Sequence, residues 1–267
     1  MNGYLGKLLT VDLTTGRIGE EAIPESDLRD FVGGAALGAR LLYRQLTPSL
    51  DPLGPDNPLL FITGPLTGSA GPAVGRYTVC AKSPATGLWA ESNCGGFVGP
   101  EIRFAGYDGI LFTGQASSPV YLWLKDGKAE LRDAARLWGR DTYETQTAIK
   151  KEVGESLARV ACIGVAGERV IQYALILGDH GRVAGRTGMG AVMGSKNLKA
   201  VAVRGSAALP TADPLFKDKR SRANVELRND NFTKVMRETG SAGGAEYFNV
   251  LGEMPVRYYS RSGFEGV

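Results

Sequence analysis

Histidine and cysteine, the residues that most often bind transition metals, are scarce in this sequence of 267 residues, which has one histidine and three cysteines. A single histidine, His180, excludes any metal site or catalytic triad that needs two imidazoles from this chain. Cys80, Cys94 and Cys162 form no CxxC pair, so no structural zinc site is indicated. Their odd number and irregular spacing favour a reducing compartment over a disulfide framework. We expect each of them to be a small buried residue.

Long apolar segments and a strong charge of one sign are also missing. No apolar run approaches the roughly 18 residues that a membrane-spanning helix needs, and the N-terminus lacks the pattern of a secretory signal. The formal net charge is +3, which argues against a protein that coats nucleic acid. With 43% apolar and 22% charged residues, the composition is that of a globular protein. We therefore predict a cytoplasmic protein that binds neither nucleic acid nor membrane.

Carboxylates are absent from two long stretches, residues 57–90 and 180–212, where the chain average would place about seven of them. The second stretch has a charge of +5, from Arg182, Arg186, Lys196, Lys199 and Arg204. Such segregation of charge predicts a site for anionic groups, phosphates above all.

Glycine, in contrast, is abundant, with 37 residues or about 14% of the chain, roughly twice the usual share. The run 179–190 places two arginines in a loop with four glycines, before a helical turn that begins near Ala191. Glycines at positions 64, 68 and 71 precede Arg76. Backbone N–H groups of such loops and helix starts attract phosphate, and arginine adds a bidentate clamp. We predict that Arg76 and Arg182 hold one anionic ligand from opposite sides, with no acidic residue nearby to compete.

Other interpretations of these residues stay open. Residues 188–194 resemble a GxGxxxG nucleotide fingerprint, but no predicted strand directly precedes them. Each glycine taken singly is more typical of a turn than of a ligand contact. Glu91, Glu101 and Asp108 could be catalytic, although solvated or hydrogen-bonded surface roles are more typical of such carboxylates. His180 is equally compatible with donating to a phosphate and with an ordinary place in a loop.

The hydrophobic pattern predicts a body rich in β-strands. Asp126-Gly127 joins two of the expected strands and is a strong hairpin signal. Helices are predicted over residues 26–46, with a close packing point at Gly33-Gly34, and over residues 141–153. The expected strands cover residues 4–13 followed by a short second strand, then 59–63, 76–82, 88–93, 109–113, 120–125, 128–132, 159–163, 170–177 and 200–204.

The composition changes near Pro210. Between residues 213 and 237, 11 of 25 residues are charged, which is twice the chain average and predicts an exposed helix over residues 213–239. The segment 213–267 is too short and too polar to bury a core of its own. We therefore predict an α+β protein, with a β-rich domain over residues 1–210 and the incomplete start of a helical domain over residues 211–267.

Several short segments occur in a fixed order along residues 1–210: Tyr4-Leu5-Gly6-Lys7, Gly64-Pro65-Leu66-Thr67-Gly68, Gly75-Arg76-Tyr77 with Lys82-Ser83-Pro84, Asn93-Cys94-Gly95-Gly96, Phe104-Ala105-Gly106-Tyr107-Asp108, Gly185-Arg186-Thr187-Gly188 and the run from Gly190 to Val201. In this order they resemble the N-terminal half of the tungsten-containing aldehyde:ferredoxin oxidoreductase family. The resemblance continues more faintly through the remainder of the chain.

The resemblance implies a tungsten held by the dithiolenes of two pterins, whose phosphates are bridged by magnesium. The N-terminal domain would be a base of two β-sheets on which this bis-pterin lies. At the matching positions, Arg76, Gly95 and Arg182 would contact the pterins or their phosphates. The backbone carbonyls of Asn93 and Val183 would face the magnesium.

Other parts of the family's chemistry have no counterpart in this sequence. The family's CxxCxxxC motif, which binds a four-iron four-sulfur cluster with a further cysteine, would follow shortly after Val267. The family's acid/base Glu and His also lie in the later helical domains. We therefore expect a truncated or split gene product, or a subunit that needs a partner chain, and we predict no catalytic residue within this chain.

The resemblance predicts the cofactor-binding part of an enzyme that oxidises aldehydes to carboxylic acids and passes electrons to ferredoxin. Molybdenum could replace tungsten, and a homo-oligomer is open. The expected partner is the remaining helical portion or a partner subunit, and the chain alone should show no aldehyde oxidation. One alternative is a non-catalytic module that keeps a pterin or another phosphorylated ligand. A nicotinamide-dependent dehydrogenase using residues 188–194 is the least favoured.

Overall fold

The computed structural model describes residues 2–254 and 256–261. The chain divides into two compact units, Met1–Asp213 and Pro214–Val267. Within the described residues, the first unit has two mixed six-stranded sheets and several helices. This architecture confirms the predicted α+β class with two sheets.

The first sheet has the strand order β2-β1-β6-β3-β4-β5, in which β1 and β6 are parallel and all other neighbours are antiparallel. Two helices, α1 (Glu25–Phe31) and α2 (Gly34–Leu42), cover its outer face and bury leucines against Leu60, Ile62 and Cys80. The strands are β1 (Lys7–Asp12), β2 (Ile18–Ala22), β3 (Leu59–Ile62), β4 (Tyr77–Lys82), β5 (Trp89–Cys94) and β6 (Gly109–Thr113).

The second sheet has the order β11-β10-β9-β12-β7-β8, with only β7 and β12 parallel. Its outer face packs on α4 (Thr142–Glu152) through Ile149. A short helix, α5 (Val165–Glu168), follows β9. The strands are β7 (Val120–Lys125), β8 (Lys128–Asp133), β9 (Arg159–Cys162), β10 (Ile176–Gly178), β11 (Arg182–Ala184) and β12 (Leu198–Arg204).

The inner faces of the two sheets share one hydrophobic core with two further helices, α3 (Val98–Phe104) and α6 (Met189–Ser195). Ile102 of α3 and Val192 of α6 are fully buried in this core. All three cysteines are buried and free, as expected from their spacing. Because both sheets contribute to one core, their relative position is fixed by apolar packing.

The structure confirms the predicted β7–β8 hairpin and the predicted helix α4. Asp126 and Gly127 have φ of 46° and 81°, the pair of positive values that a tight two-residue hairpin turn needs. Asp141 caps α4 by accepting hydrogen bonds from the backbone N–H groups of Tyr143 and Glu144, at 2.9 and 2.8 Å.

The single helix predicted over residues 26–46 is wrong, because α1 and α2 are separate. Val32 takes a φ of 60° and stops α1. A Cβ on Gly33 would lie 2.7 Å from the Cα of Gly64, so the chain passes the 63–65 loop too closely for a side chain. Tertiary contact therefore decides this break, which hydrophobic periodicity alone did not indicate.

Other element predictions also need correction. The strand predicted over residues 170–177 is confined to β10, and α5 and turns occupy the segment before it. Helix α3 was not predicted, because Gly99-Pro100 is typical of loops; here the proline lies in the first turn, where no intrahelical N–H bond is lost. Strand β11 was predicted as loop.

In the second unit, the helix predicted over residues 213–239 is two helices, α7 (Phe216–Asn229) and α8 (Asn231–Thr239). Asp230 has an extended backbone and caps α8, since its Oδ2 accepts a 2.7 Å hydrogen bond from the N–H of Thr233. A short helix, α9 (Ala245–Val250), follows. None of these helices has a buried residue, as the charged composition predicted.

Candidate cofactor-binding site

Strands β5 and β11 are edge strands of the two sheets, and they lie beside each other. Ser92 Oγ of β5 donates a 2.8 Å hydrogen bond to the carbonyl oxygen of Gly185, directly after β11. Each edge strand has a ladder partner on one side only, and here the other sides of β5 and β11 face one another. The site residues predicted from the sequence lie on or next to these two edges.

Arg76 precedes β4, and its guanidinium lies against Asn93 of β5. Arg76 NH1 donates a 2.7 Å hydrogen bond to Asn93 Oδ1, and Thr67 Oγ1 donates a 2.9 Å bond to the Arg76 carbonyl oxygen. Both Arg76 and Asn93 are exposed. The guanidinium is therefore oriented by a neutral partner and keeps its charge and most of its N–H groups for a ligand.

Arg182 and Val183 begin β11 and are exposed. Arg182 lines a groove of about 630 Å³ with Phe97 and several glycines, among them Gly68, Gly71, Gly75 and Gly96. Arg76 bonds to Asn93 near the end of β5, and a Cβ on Gly96, two residues after β5, would lie 3.0 Å from Cγ of Arg182. Among the described residues, neither guanidinium forms an ion pair with a carboxylate. The structure thus brings the two predicted arginines to one end of β5.

Sequence reasoning missed Asp179 and Phe97, which also line the groove. Asp179 Oδ2 accepts a 2.6 Å hydrogen bond from the N–H of Phe97, and Oδ1 lies 3.4 Å from NH1 of Arg159. The expectation of no acidic residue near the arginines is therefore wrong. Asp179 directly precedes the carboxylate-free stretch 180–212, so the charge pattern could not reveal it. Its position three residues before Arg182 was the available indication that the two side chains lie close together.

Most cations of the two carboxylate-free stretches do not face a ligand, contrary to the interpretation of the +5 charge. Lys82 Nζ donates to three carbonyl oxygens, those of Thr47, Pro48 and Leu50, at 2.7–3.0 Å. Lys196 and Lys199 are fully buried. Lys199 Nζ pairs with Glu168. Arg204 pairs with Glu101 at 2.8 Å. Arg76, Arg182 and Arg186 remain exposed.

Lys196 leads to a prediction about pH. Its Nζ donates 3.0 Å hydrogen bonds to the carbonyl oxygens of Pro55 and Gly114, and burial lowers its pKa to about 8 although Asp56 opposes that shift. An unfolded lysine titrates near 10.4, so above about pH 8 the unfolded chain binds more protons and folding stability rises with pH. Between pH 7.5 and 10, we expect urea unfolding to show wild type gaining about 2 kcal/mol relative to Lys196→Met.

The control for this experiment is Lys128→Met, which removes an exposed lysine of the β7–β8 hairpin. Its stability curve should run parallel to that of wild type over the same pH range. If the stability curve of Lys196→Met also runs parallel to that of wild type, the lowered pKa of Lys196 is contradicted.

The glycines of α6 serve packing, which corrects the prediction that this helix start attracts phosphate. Met189 and Gly190 are buried, and the N–H of Gly190 donates to the carbonyl oxygen of Ala174 at 2.9 Å. A Cβ on Gly194 would overlap the carbonyl oxygen of Gly167 in α5. The glycines of the GxGxxxG pattern at 188–194 therefore allow close backbone contact between α6 and its neighbours. This contact leaves no room for a dinucleotide beside these glycines.

The sequence predicted surface roles for the carboxylates considered as catalytic candidates, but the structure places them in buried or partly buried positions. Asp108 is buried and accepts from the N–H groups of Leu5 and Gly6, at 2.9 and 2.6 Å. Glu101 is buried against Arg204, and Glu91 is partly buried on β5. His180 is exposed and stacks on Tyr143, with ring centroids 5.5 Å apart.

Comparison with known proteins supplies the family. Residues 8–205 match the family described as aldehyde ferredoxin oxidoreductase, N-terminal domain. The chain belongs to this family. The resemblance found in the sequence is thereby confirmed, and with it the assignment to an oxidoreductase family.

Curated relatives in this family are considerably longer than the chain. A tungsten-containing aldehyde ferredoxin oxidoreductase of Thermococcus kodakarensis is 43% identical over 271 residues, which cover 99% of this chain and 44% of that protein. The corresponding Pyrococcus furiosus protein is 46% identical over 235 residues, covering 86% and 38%. The aliphatic sulfonate oxidoreductase, WOR-like subunit, of P. furiosus is 37% identical over 274 residues, covering 96% and 43%. The chain thus spans less than half the length of these relatives.

A solved structure supports the aldehyde ferredoxin oxidoreductase fold. The active site complex BamBC of benzoyl coenzyme A reductase, solved with 1,5-dienoyl-CoA, superposes with a TM-score of 0.82 at 39% identity. The match covers 89% of this chain and 36% of that chain. The two-sheet body is therefore shared with a redox enzyme named for a different substrate.

This family implies a tungsten pterin cofactor, and the groove residues fit the phosphate-bearing part of such a group. The exposed guanidinium of Arg182 and several glycines line the groove, and exposed Arg76 directly follows one of them, Gly75. Among residues 2–254 and 256–261, no cluster of three or more His, Cys, Asp or Glu could hold a metal ion. In that part of the chain, no helix is long and apolar enough to cross a membrane.

Proposed function

We propose that the groove lined by Gly75, Gly96 and Arg182, beside the end of β5, holds the phosphates of a tungsten bis-pterin, and that the chain is the cofactor-binding base of an oxidoreductase. The observation that carries this proposal is the convergence of Arg76, which bonds to Asn93, and Arg182, whose Cγ would lie 3.0 Å from a Cβ on Gly96, at one end of β5. Among the described residues, no carboxylate is paired to either arginine. Guanidiniums in such a setting favour a phosphate, to which each can make two parallel hydrogen bonds.

Each predicted residue has a distinct part in this proposal. Arg76, directly before β4, and Arg182, at the start of β11, clamp the phosphates from opposite sides. Gly95 faces open space, since a Cβ there would meet nothing within 4 Å, so a ligand can approach its backbone. The backbone carbonyls of Asn93, on β5, and Val183, on β11, would hold a magnesium ion beside the phosphates and so offset part of their negative charge.

The proposed reaction is the oxidation of an aldehyde to a carboxylic acid, with ferredoxin as electron acceptor. When bound, the metal centre supplies the two-electron step, and this chain supplies binding and orientation. The names of the curated relatives support this reaction class. The four-iron four-sulfur cluster and the acid/base residues belong, in this proposal, to a helical portion or partner chain.

The phosphate clamp is tested by replacing Arg182 and measuring retained pterin. Lysine keeps the charge but loses the planar fork, so Arg182→Lys should retain less pterin than wild type, and Arg182→Ala less still. A charge-assisted hydrogen bond contributes roughly 1.5–3 kcal/mol, which corresponds to a loss of affinity of about one to two powers of ten. Each variant is purified with its complementary helical chain from a host that makes the cofactor, and released pterin is quantified per protein.

The matched control is Arg222→Ala, which removes an exposed arginine of α7 and should change nothing. Equal pterin content in all variants would remove Arg182 from the site. Retention of pterin with no aldehyde oxidation in the presence of the helical chain would favour the non-catalytic module instead. Metal analysis of the same samples distinguishes tungsten from molybdenum.

A further inference from the structure

Three backbone segments meet beside the groove at distances that only glycine permits. A Cβ on Gly75 would overlap the carbonyl oxygen of Gly96, and a Cβ on Gly96 would overlap Asp179 Oδ2 and lie 3.0 Å from Cγ of Arg182. Gly96 also has a φ of 93°, which other residues rarely adopt. The loop that carries Arg76 therefore touches the loop after β5, and that loop touches the turn that carries Arg182.

Glycine allows this approach but does not hold it, and the residue that joins the last two segments is Asp179. Its Oδ2 accepts a 2.6 Å hydrogen bond from the N–H of Phe97, although Asp179 and Phe97 are 82 positions apart in the sequence. The side chain of Asp179 is only 7% exposed. A hydrogen bond to a buried carboxylate is among the stronger ones in proteins.

Arg159 completes this contact from β9. Its NH1 lies 3.4 Å from Asp179 Oδ1, and its guanidinium carbon lies 4.5 Å from the centre of the Phe97 ring. The Asp179 carboxylate is thus paired with a cation other than Arg182. This arrangement, called here the Asp179 junction, consists of Asp179, Phe97, Gly96 and Arg159.

We infer that Asp179 is a positioning residue for the anion site, because its carboxylate fixes the loop after β5 against the turn that carries Arg182. The identity of the ligand rests on the proposed function. Arg182 lies three residues after Asp179, and Gly95 lies two residues before Phe97. The junction therefore sets the spacing between the two halves of the site, although Asp179 itself repels a phosphate.

Two variants of Asp179 separate positioning from charge. Asp179→Ala removes the acceptor of the Phe97 N–H group, whereas Asp179→Asn removes the charge but keeps an oxygen that can accept. We expect amide hydrogen exchange at Phe97 to accelerate about tenfold or more in Asp179→Ala and to stay near wild type in Asp179→Asn. Asp30→Ala, which removes an exposed carboxylate of α1, is the control and should leave exchange at Phe97 unchanged.

Inorganic pyrophosphate is the ligand probe, titrated calorimetrically into the full 267-residue chain. We expect Asp179→Ala to bind it about tenfold more weakly than wild type and Asp179→Asn to bind within about threefold. Tighter binding by both variants would show that the carboxylate merely repels the ligand and would overturn the inference. Unchanged exchange at Phe97 in Asp179→Ala would overturn it as well.

The two proposals fail in distinguishable ways. If wild type and Arg182→Ala both fail to bind pyrophosphate, the proposed phosphate site is wrong. Exchange at Phe97 still decides the role of Asp179 in that case: acceleration in Asp179→Ala but not in Asp179→Asn upholds the junction, and equal rates in all variants refute it.

Discussion

Gly194→Ala should destabilise the first unit by about 3 kcal/mol or more, a large part of the roughly 5–15 kcal/mol by which native proteins are typically stable. The added Cβ would overlap the carbonyl oxygen of Gly167, which belongs to the backbone of α5 and cannot turn aside as a side chain would. Alanine favours helix over glycine by only about 1 kcal/mol, so the clash outweighs the gain in propensity. Urea unfolding followed by tryptophan fluorescence measures the loss, because Trp89, Trp123 and Trp138 all lie in the first unit.

Gly164→Ala is the matched control for this variant. It adds the same atom at the N-cap of α5, where the nearest heavy atom, Cγ2 of Thr142, lies at an ordinary contact distance of 3.4 Å. Its cost should stay below about 1 kcal/mol. Similar stabilities for the two alanine variants would show that α5 and α6 can separate without penalty, and would refute the packing argument.

Arg103→Met should cost about 3–5 kcal/mol, because it leaves the Asp108 carboxylate as an unpaired buried charge. Arg103 NH1 lies 3.2 Å from Asp108 Oδ1, and both side chains are nearly inaccessible to solvent. The guanidinium also donates 2.8 Å hydrogen bonds to the carbonyl oxygens of Gly64 and Gly3. Losing it therefore releases the N-terminal segment and the loop that begins at Gly64, together with the ion pair.

Two further variants show the origin of that cost. Arg29→Met breaks an exposed ion pair with Glu25 on α1 and should change the unfolding free energy by less than about 0.5 kcal/mol. In the double variant Arg103→Met/Asp108→Asn, neither charge of this ion pair is left buried, so part of the lost stability should return. If the double variant has a lower unfolding free energy than Arg103→Met, the unpaired Asp108 charge is not the cause of the loss.

Local chemistry explains which parts of the fold could be predicted from the sequence. The β7–β8 hairpin follows from Asp126-Gly127, and α4 follows from its Asp141 cap and charged face, since both signals act within a few residues. The break between α1 and α2 and the close packing of α6 against α5 depend instead on backbone contacts with distant segments. In the sequence, such contacts are visible only as glycines, and a glycine does not indicate which distant segment it contacts.

Sequence reasoning proposed the two arginines of the candidate site but did not indicate the Asp179 junction. Segregation of charge indicated Arg76 and Arg182, because each lies in a long stretch of sequence that has no carboxylate. The same signal was misleading for Lys196 and Lys199, whose ammonium groups are satisfied internally by carbonyl oxygens and, for Lys199, by Glu168. A sequence does not show which cations are buried, because the partners are backbone atoms that every residue carries.

The meeting of β5 with β11 also bears on aggregation. An edge strand can recruit strands from other molecules, and proteins protect such edges with charge or by covering them. Here β5 and β11 shield one another through Ser92 and Gly185, while the remaining edges, β2 and β8, carry charged side chains such as Glu21 and Lys128. Any substitution that separates β5 from β11 would therefore expose two weakly protected strands, and its first visible effect at high concentration would be self-association.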